Sequence, residues 1–129
     1  PEVIEETDFA ASLGIDLSVM TRTATGLYIE EIEVGTGKTA SAGDVATVTY
    51  TGLLSNAATF DAGTFSFTLG SGGVIPGFDE GVTGMRVGGT RRIVIPPELG
   101  YGDSGSGSIP PGSILIFRIH LDALDSDLF

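Results

Sequence analysis

The sequence contains no cysteine and no tryptophan. Without cysteine there is no disulfide frame, no thiol nucleophile and no thiolate metal site. Histidine occurs once, as His120, which excludes a multi-histidine metal centre. Basic residues are scarce: six Lys and Arg stand against seventeen Asp and Glu, a formal charge of −11. Nucleic acids and anionic bilayers are gripped mainly through Lys and Arg, so neither suits this chain as a partner. No apolar run approaches the ~18 residues of a helical membrane span. The chain opens on Pro1 rather than Met, as expected of a processed form, and a removed leader would leave no trace in it. The acidic, cysteine-free start favours a bacterial periplasmic protein or lipoprotein that has lost its leader, with a cytoplasmic protein as the alternative.

Glycine, by contrast, is abundant: 20 of 129 residues, about twice the usual ~7%. Together with many Val, Ile and Thr this indicates short strands joined by tight turns. A chain of 13.2 kDa, exposing roughly 6,400 Å² when folded, buries one core and is expected to form one domain.

Residues 1–25 read as an acidic arm carrying Glu2, Glu5, Glu6 and Asp8, with Phe9, Leu13, Ile15, Leu17 and Met20 as apolar grip on a body. The first 35 residues hold eight acids and one Arg, a solvated extension rather than a binding tail. Strand patterns follow over Leu27–Val34, over Asp44–Leu53, where Ala46, Val48 and Tyr50 alternate with threonines, and over Phe65–Leu69. Further strands are expected at Arg91–Ile95, closed by Pro96-Pro97, and at Ser113–Ala123, with Leu115, Phe117, Ile119 and Leu121 facing in. One helix is expected at about Gly77–Met85, because Phe78, Val82 and Met85 share a helical face and Asp79 and Glu80 suit its first turn. Gly81 and Gly84 weaken that helix, so it needs a sheet to lie on. The fold class is therefore α+β: five or six antiparallel strands against one short helix.

Several local motifs lead nowhere. Gly35-Thr36-Gly37-Lys38-Thr39 ends like a phosphate-binding loop, but Ile32 replaces its first glycine and a strand follows where a helix is required, so a hairpin turn is expected. Gly102-Asp103-Ser104-Gly105 resembles the surroundings of a serine-protease nucleophile, yet the sole histidine lies on the outward face of the last strand and the chain is too short for two barrels. Asp79 and Glu80 read as capping acids rather than a catalytic pair. Asp122, Asp125 and Asp127 lack the glycine and terminal glutamate of a calcium loop.

One constellation carries more. Val48-Thr49-Tyr50-Thr51-Gly52, Phe60-Asp61, Phe65 and Phe67, Val74-Ile75-Pro76-Gly77-Phe78, Tyr101-Gly102, Ile109-Pro110-Pro111 and Leu115-Ile116-Phe117 occur in this order. Aromatic and β-branched residues converging from separate segments make a binding concavity, and a purely apolar core has no use for Asp61 and two tyrosine hydroxyls. Over about residues 26–124 the chain resembles the FK506-binding-protein (FKBP) type of peptidyl-prolyl cis–trans isomerase. The resemblance implies a half-barrel sheet wrapped around the helix, with residues 26–129 as the isomerase domain.

It further implies Asp61, Tyr101 and Phe117 as catalytic residues. Tyr50, Phe60, Phe65, Val74, Ile75, Phe78 and Ile109 would bind substrate, with Phe78 as the floor where many members have Trp. It implies a monomer without cofactor or metal, acting on Xaa-Pro polypeptides and open to macrolides such as FK506 or rapamycin. The chain departs from the family pattern in having only Ala62-Gly63-Thr64 between Asp61 and Phe65, with no Arg to pair the acid. The alternatives are a non-catalytic peptide-binding or chaperone module on the same scaffold and an acidic all-β calcium-dependent binding domain.

Overall fold

A computed structural model describes residues 1–125 of the chain. Six strands form one antiparallel sheet: β1 (Thr21–Arg22), β2 (Tyr28–Glu33), β3 (Val45–Leu54), β4 (Thr59–Thr68), β5 (Thr90–Ile95) and β6 (Leu115–Asp125), in the spatial order β1-β2-β5-β6-β3-β4. One helix, α1 (Pro76–Val82), lies on its inner face. No helix among the described residues is long and apolar enough to cross a membrane.

Register follows from burial. The pairs Ile93 with Phe117, Tyr50 with Ile119 and Val48 with Phe65 lie on successive rungs of one apolar face across β5, β6, β3 and β4. A slip of one residue would turn that face to water. Phe78, Val82 and Met85, all buried, fill the space over it. Helix α1 approaches β5 closely because it has glycines there: a Cβ on Gly77 would lie 2.5 Å from Ile95, and one on Gly81 would lie 2.5 Å from Ile93.

The helix stops three residues before the expected Met85. Thr83 is extended and Gly84 has φ +89°, so the chain turns and Met85 reaches the core from a loop. The buried Arg91 replaces the lost turn: its guanidinium donates to Gly81 O and Thr83 O while gripping Glu31 through two hydrogen bonds.

Two further sequence expectations change. Residues 35–39 are not a hairpin turn, because β2 and β3 are separated in the sheet by β5 and β6. Gly35 is instead pressed against the 86–89 loop, with no room for a Cβ. And Phe60-Asp61 belong to the same strand as Phe65. The three residues between them are too few for a loop and extend β4 without a break in register from Asp61 to Thr68.

Residues 1–25 cover the outer face. Ile4 and Met20, with Phe9, Leu13, Ile15 and Leu17 beside them, pack on Tyr28, Val94, Ile114 and Ile116. Strands β5 and β6 are therefore covered on both faces, Val94 and Ile116 by the arm and Ile93, Ile95, Leu115 and Phe117 by the inner core, which explains their unbroken apolar runs. Polar groups fix the arm: Glu2 accepts from Ile114 N–H and Ser55 Oγ, Glu5 accepts from Tyr28 Oη, and Arg92 donates to Leu13 O and Gly14 O. Thr21 and Arg22 enter the sheet as β1.

Candidate active site

Between α1 and the inner faces of β3, β4 and β6 a cavity of about 170 Å³ remains open to solvent. Each wall has a local cause. Tyr50 and Phe117 alternate inward on β3 and β6, and Phe65 and Asp61 do so on β4. Phe78 enters from the first turn of α1, whose Pro76 has no N–H to leave unpaired. Val74 and Ile75 come from the loop before the helix, and Tyr101 from the loop after β5.

The rings meet edge to face. Phe78 lies 5.0 Å from Phe117 and 5.8 Å from Tyr50, and Tyr50 lies 5.5 Å from Phe65. Such pairs are mutually attractive beyond their buried area, so the walls are held without filling the space between them. Phe67 and Phe60 brace the set from behind, Phe67 against Phe65 and Phe78, Phe60 against Phe117.

Eight of the ten residues expected from the sequence line the cavity: Tyr50, Asp61, Phe65, Val74, Ile75, Phe78, Tyr101 and Phe117. Phe60 and Ile109 do not. Phe60 is the extra residue of a β-bulge, where pairing passes from Leu53–Thr59 to Gly52–Asp61, and it packs on Gly52 and Phe117 instead. Ile109 is buried in the main core below a tight turn with Ser106. Gly73 lines the cavity and was not expected. Its only signal is the run Gly70-Ser71-Gly72-Gly73, in which Gly70 and Gly72 have positive φ.

The site has one polar pair. The Tyr50 hydroxyl donates to Asp61 Oδ2 at 2.6 Å, and the Ala62 N–H donates to Asp61 Oδ1 at 2.9 Å. Asp61 thus has a partner, though not the basic one that members of the resembled family often supply. Burial, then the hydrogen bond and charge of Asp61, push the Tyr50 hydroxyl up to about 12. The Tyr101 hydroxyl donates to no group among the described residues, and neither does the Ile75 N–H at the helix start. Both point to a site with donors to spare.

Neither a nucleophile–base pair nor a metal site is assembled here. His120 sits on the outer face of β6, 2.7 Å from Asp122, whose other oxygen accepts from Thr49. Asp79 binds the Gly70 N–H and Glu80 accepts from Thr25, so neither acid enters the cavity. Of the three tail acids, Asp127 lies outside the described residues. The described residues contain no cluster of three or more metal-ligating side chains.

Comparison with known proteins gives the same direction. The family model for FKBP-type peptidyl-prolyl cis-trans isomerase matches residues 36–122. An FK506-binding protein of Neisseria meningitidis serogroup B is 47% identical over 102 residues, covering 74% of this chain and 94% of the relative. FK506-binding protein 3 of Candida albicans is also 47% identical, over 77% of this chain, but this chain spans only 24% of its length. Among solved structures, FkpA from Escherichia coli superposes with a TM-score of 0.79 at 34% identity, over 90% of this chain and 55% of that one. With the match running from the approach to β3 well into β6, through every strand that walls the cavity, the chain belongs to the FKBP-type peptidyl-prolyl cis–trans isomerase family.

Proposed function

We propose that this chain accelerates rotation about Xaa-Pro bonds in polypeptides by holding the prolyl ring in the aromatic cavity. The observation that carries this reading is the size and openness of that cavity. Its volume of about 170 Å³ compares with the ~150 Å³ of an apolar cavity that takes up benzene, so a pyrrolidine ring fits.

No covalent step is required. Amide resonance sets a barrier of ~18–20 kcal/mol to rotation, while the two Xaa-Pro isomers differ by only ~0.5–1 kcal/mol. Catalysis needs only preferential binding of the twisted amide. A planar amide is strongly dipolar and gains most from water. A twisted one has lost resonance and gains less. An aromatic, water-poor cavity therefore raises the planar forms relative to the twisted one, and each ~1.4 kcal/mol of difference gives tenfold in rate.

In this reading Phe78 forms the floor, and Tyr50, Phe65 and Phe117 flank the ring. The free Ile75 N–H and Tyr101 hydroxyl donate to substrate carbonyls. Asp61, already fixed by Tyr50, orients the amide electrostatically. A macrolide of the FK506 or rapamycin type would occupy the same space and compete.

The test is a protease-coupled isomerisation assay on a short Xaa-Pro peptide. Acceleration proportional to protein concentration, abolished by an excess of macrolide, supports the proposal. Peptide binding without acceleration would leave only a binding module on this scaffold.

A further inference from the structure

The sheet has two edges of very different kind. One is β1, two residues long and itself the end of the arm. The other is β4, ten residues with no Lys, Arg or Pro. Exposed edges are usually blunted by such residues, by shortness or by bulges, because unpaired main-chain groups invite another strand. The single bulge of β4 lies at Phe60, at its very start, and from Asp61 to Thr68 the register is unbroken.

The direction of the free main-chain groups can be read from the pairing. Thr64 faces Thr49 and Ser66 faces Thr47, with side-chain oxygens 3.0 and 2.7 Å apart. Such close approach is characteristic of non-hydrogen-bonded pairs, whose N–H and C=O groups turn away from the partner strand. Ala62 has the same parity, and its N–H bonds the Asp61 carboxylate rather than β3. Leu69, of the opposite parity, bonds inward to Asp44. The N–H groups of Thr64, Ser66 and Thr68 therefore point outward by this parity, and none meets a turn or loop carbonyl among the described residues.

Resting on the proposed isomerase reading, we propose that this edge binds the polypeptide substrate itself, as an added antiparallel or parallel strand, while its proline occupies the cavity. Three observations choose that occupant. Asp61 and Phe65 of β4 line the cavity, so the outward amide of Thr64 lies one residue from the wall that would hold the proline. The cavity takes little more than one ring, so the rest of an unfolded chain must leave it along a neighbouring surface. The edge carries no charge beyond Asp61 itself, so it recognises main chain rather than a particular sequence, as an enzyme of varied substrates requires.

The variant Ser66→Pro removes one outward donor and places a ring in the path of an added strand. Proline is tolerated on an edge strand where the N–H faces solvent. Isomerisation of a four-residue peptide, too short to reach along β4, should stay within about twofold of wild type. Inhibition of that reaction by reduced, carboxymethylated α-lactalbumin, a permanently unfolded chain, should weaken several-fold, up to about tenfold for one main-chain hydrogen bond. Unchanged inhibition overturns the proposal. So does sedimentation of the wild type as a dimer that Ser66→Pro converts to monomer, because a second copy would then own the edge. A second measurement does not depend on the variant folding or on turnover. In the wild type, amide exchange at Thr64, Ser66 and Thr68 should slow when the unfolded α-lactalbumin is added, and equal exchange with and without it refutes strand addition. Loss of tetrapeptide turnover in the wild type would instead refute the isomerase reading alone.

Discussion

Asp61 and Tyr50 show how little chemistry this site requires. The acid is exposed, and its bonds come from one hydroxyl and the next N–H along the chain. Replacing Asp61 with Ala should lower kcat/KM for a short Xaa-Pro peptide by about three- to tenfold, the worth of one charge-assisted hydrogen bond, with the urea midpoint unchanged. Combining it with Tyr101→Phe should lower turnover further. If the double variant turned over prolyl peptides at the wild-type rate, neither polar group would take part. Tyr50 has a pH signature of its own. Its hydroxyl is raised from the usual ~10 of an unfolded chain to about 12 in the fold. The unfolded state then releases its proton first, so the stability due to this group is whole below about pH 10 and disappears as pH rises toward about 12. Urea titrations across that window should show a decline in the wild type that is smaller in Tyr50→Phe.

The elements show where short-range signals fail. Phe78, Val82 and Met85 were correctly placed on one buried face, yet the helix ends at Val82 because Gly84 takes a left-handed turn and Arg91 caps the freed carbonyls from a distant strand. No local pattern announces an arginine ten residues away. The sequence also reads Gly81 as a weakness, whereas the packing shows a requirement. Alanine at 81 gains up to ~1 kcal/mol of helix propensity but sets its Cβ 2.5 Å from Ile93 Cδ1. Ile93 is fully buried and both its Cδ1 and its Cγ2 are crowded, so its side chain must repack inside the core, and overpacking of ~1–3 kcal/mol wins. Thermal unfolding of Gly81→Ala should therefore give a lower midpoint, by several degrees. A similar reversal concerns β4: strand alternation is visible from Phe65 onward, but Gly63 and the bulge at Phe60 hide its first half.

For the molecule as a whole, the arm completes the core. It covers the outer faces of β2, β5 and β6, and the surface of 6392 Å² is that of a compact chain of this mass, roughly 6,400 Å². Ile4→Ala should cost about 2–4 kcal/mol, as for other buried large-to-small changes, measured by urea unfolding. Its folded fraction should isomerise prolyl peptides normally, because the arm and the cavity lie on opposite faces of the sheet. A parallel loss of specific activity would mean that the two faces are coupled.

Period and order along the chain were enough to determine an antiparallel sheet with one helix, an acidic front and a set of aromatics in a family-specific sequence. The strands and the helix follow from side-chain alternation and spacing, which are local properties of the chain, whereas the site residues rest on the resemblance of their order to the FKBP type. Of the eight expected residues that line the cavity, Tyr50, Asp61, Phe65, Phe78 and Phe117 sit on the inward phase of a strand or helix, while Val74, Ile75 and Tyr101 reach it from loops. Only the tertiary structure decided that Phe60 and Ile109 lie outside the cavity lining, that Tyr50 supplies the partner of Asp61, and that β5 and β6 are covered on both faces. Each of those outcomes depends on contacts between segments far apart in the chain, where a bulge, a close packing of rings or a covering arm sets what a side chain meets.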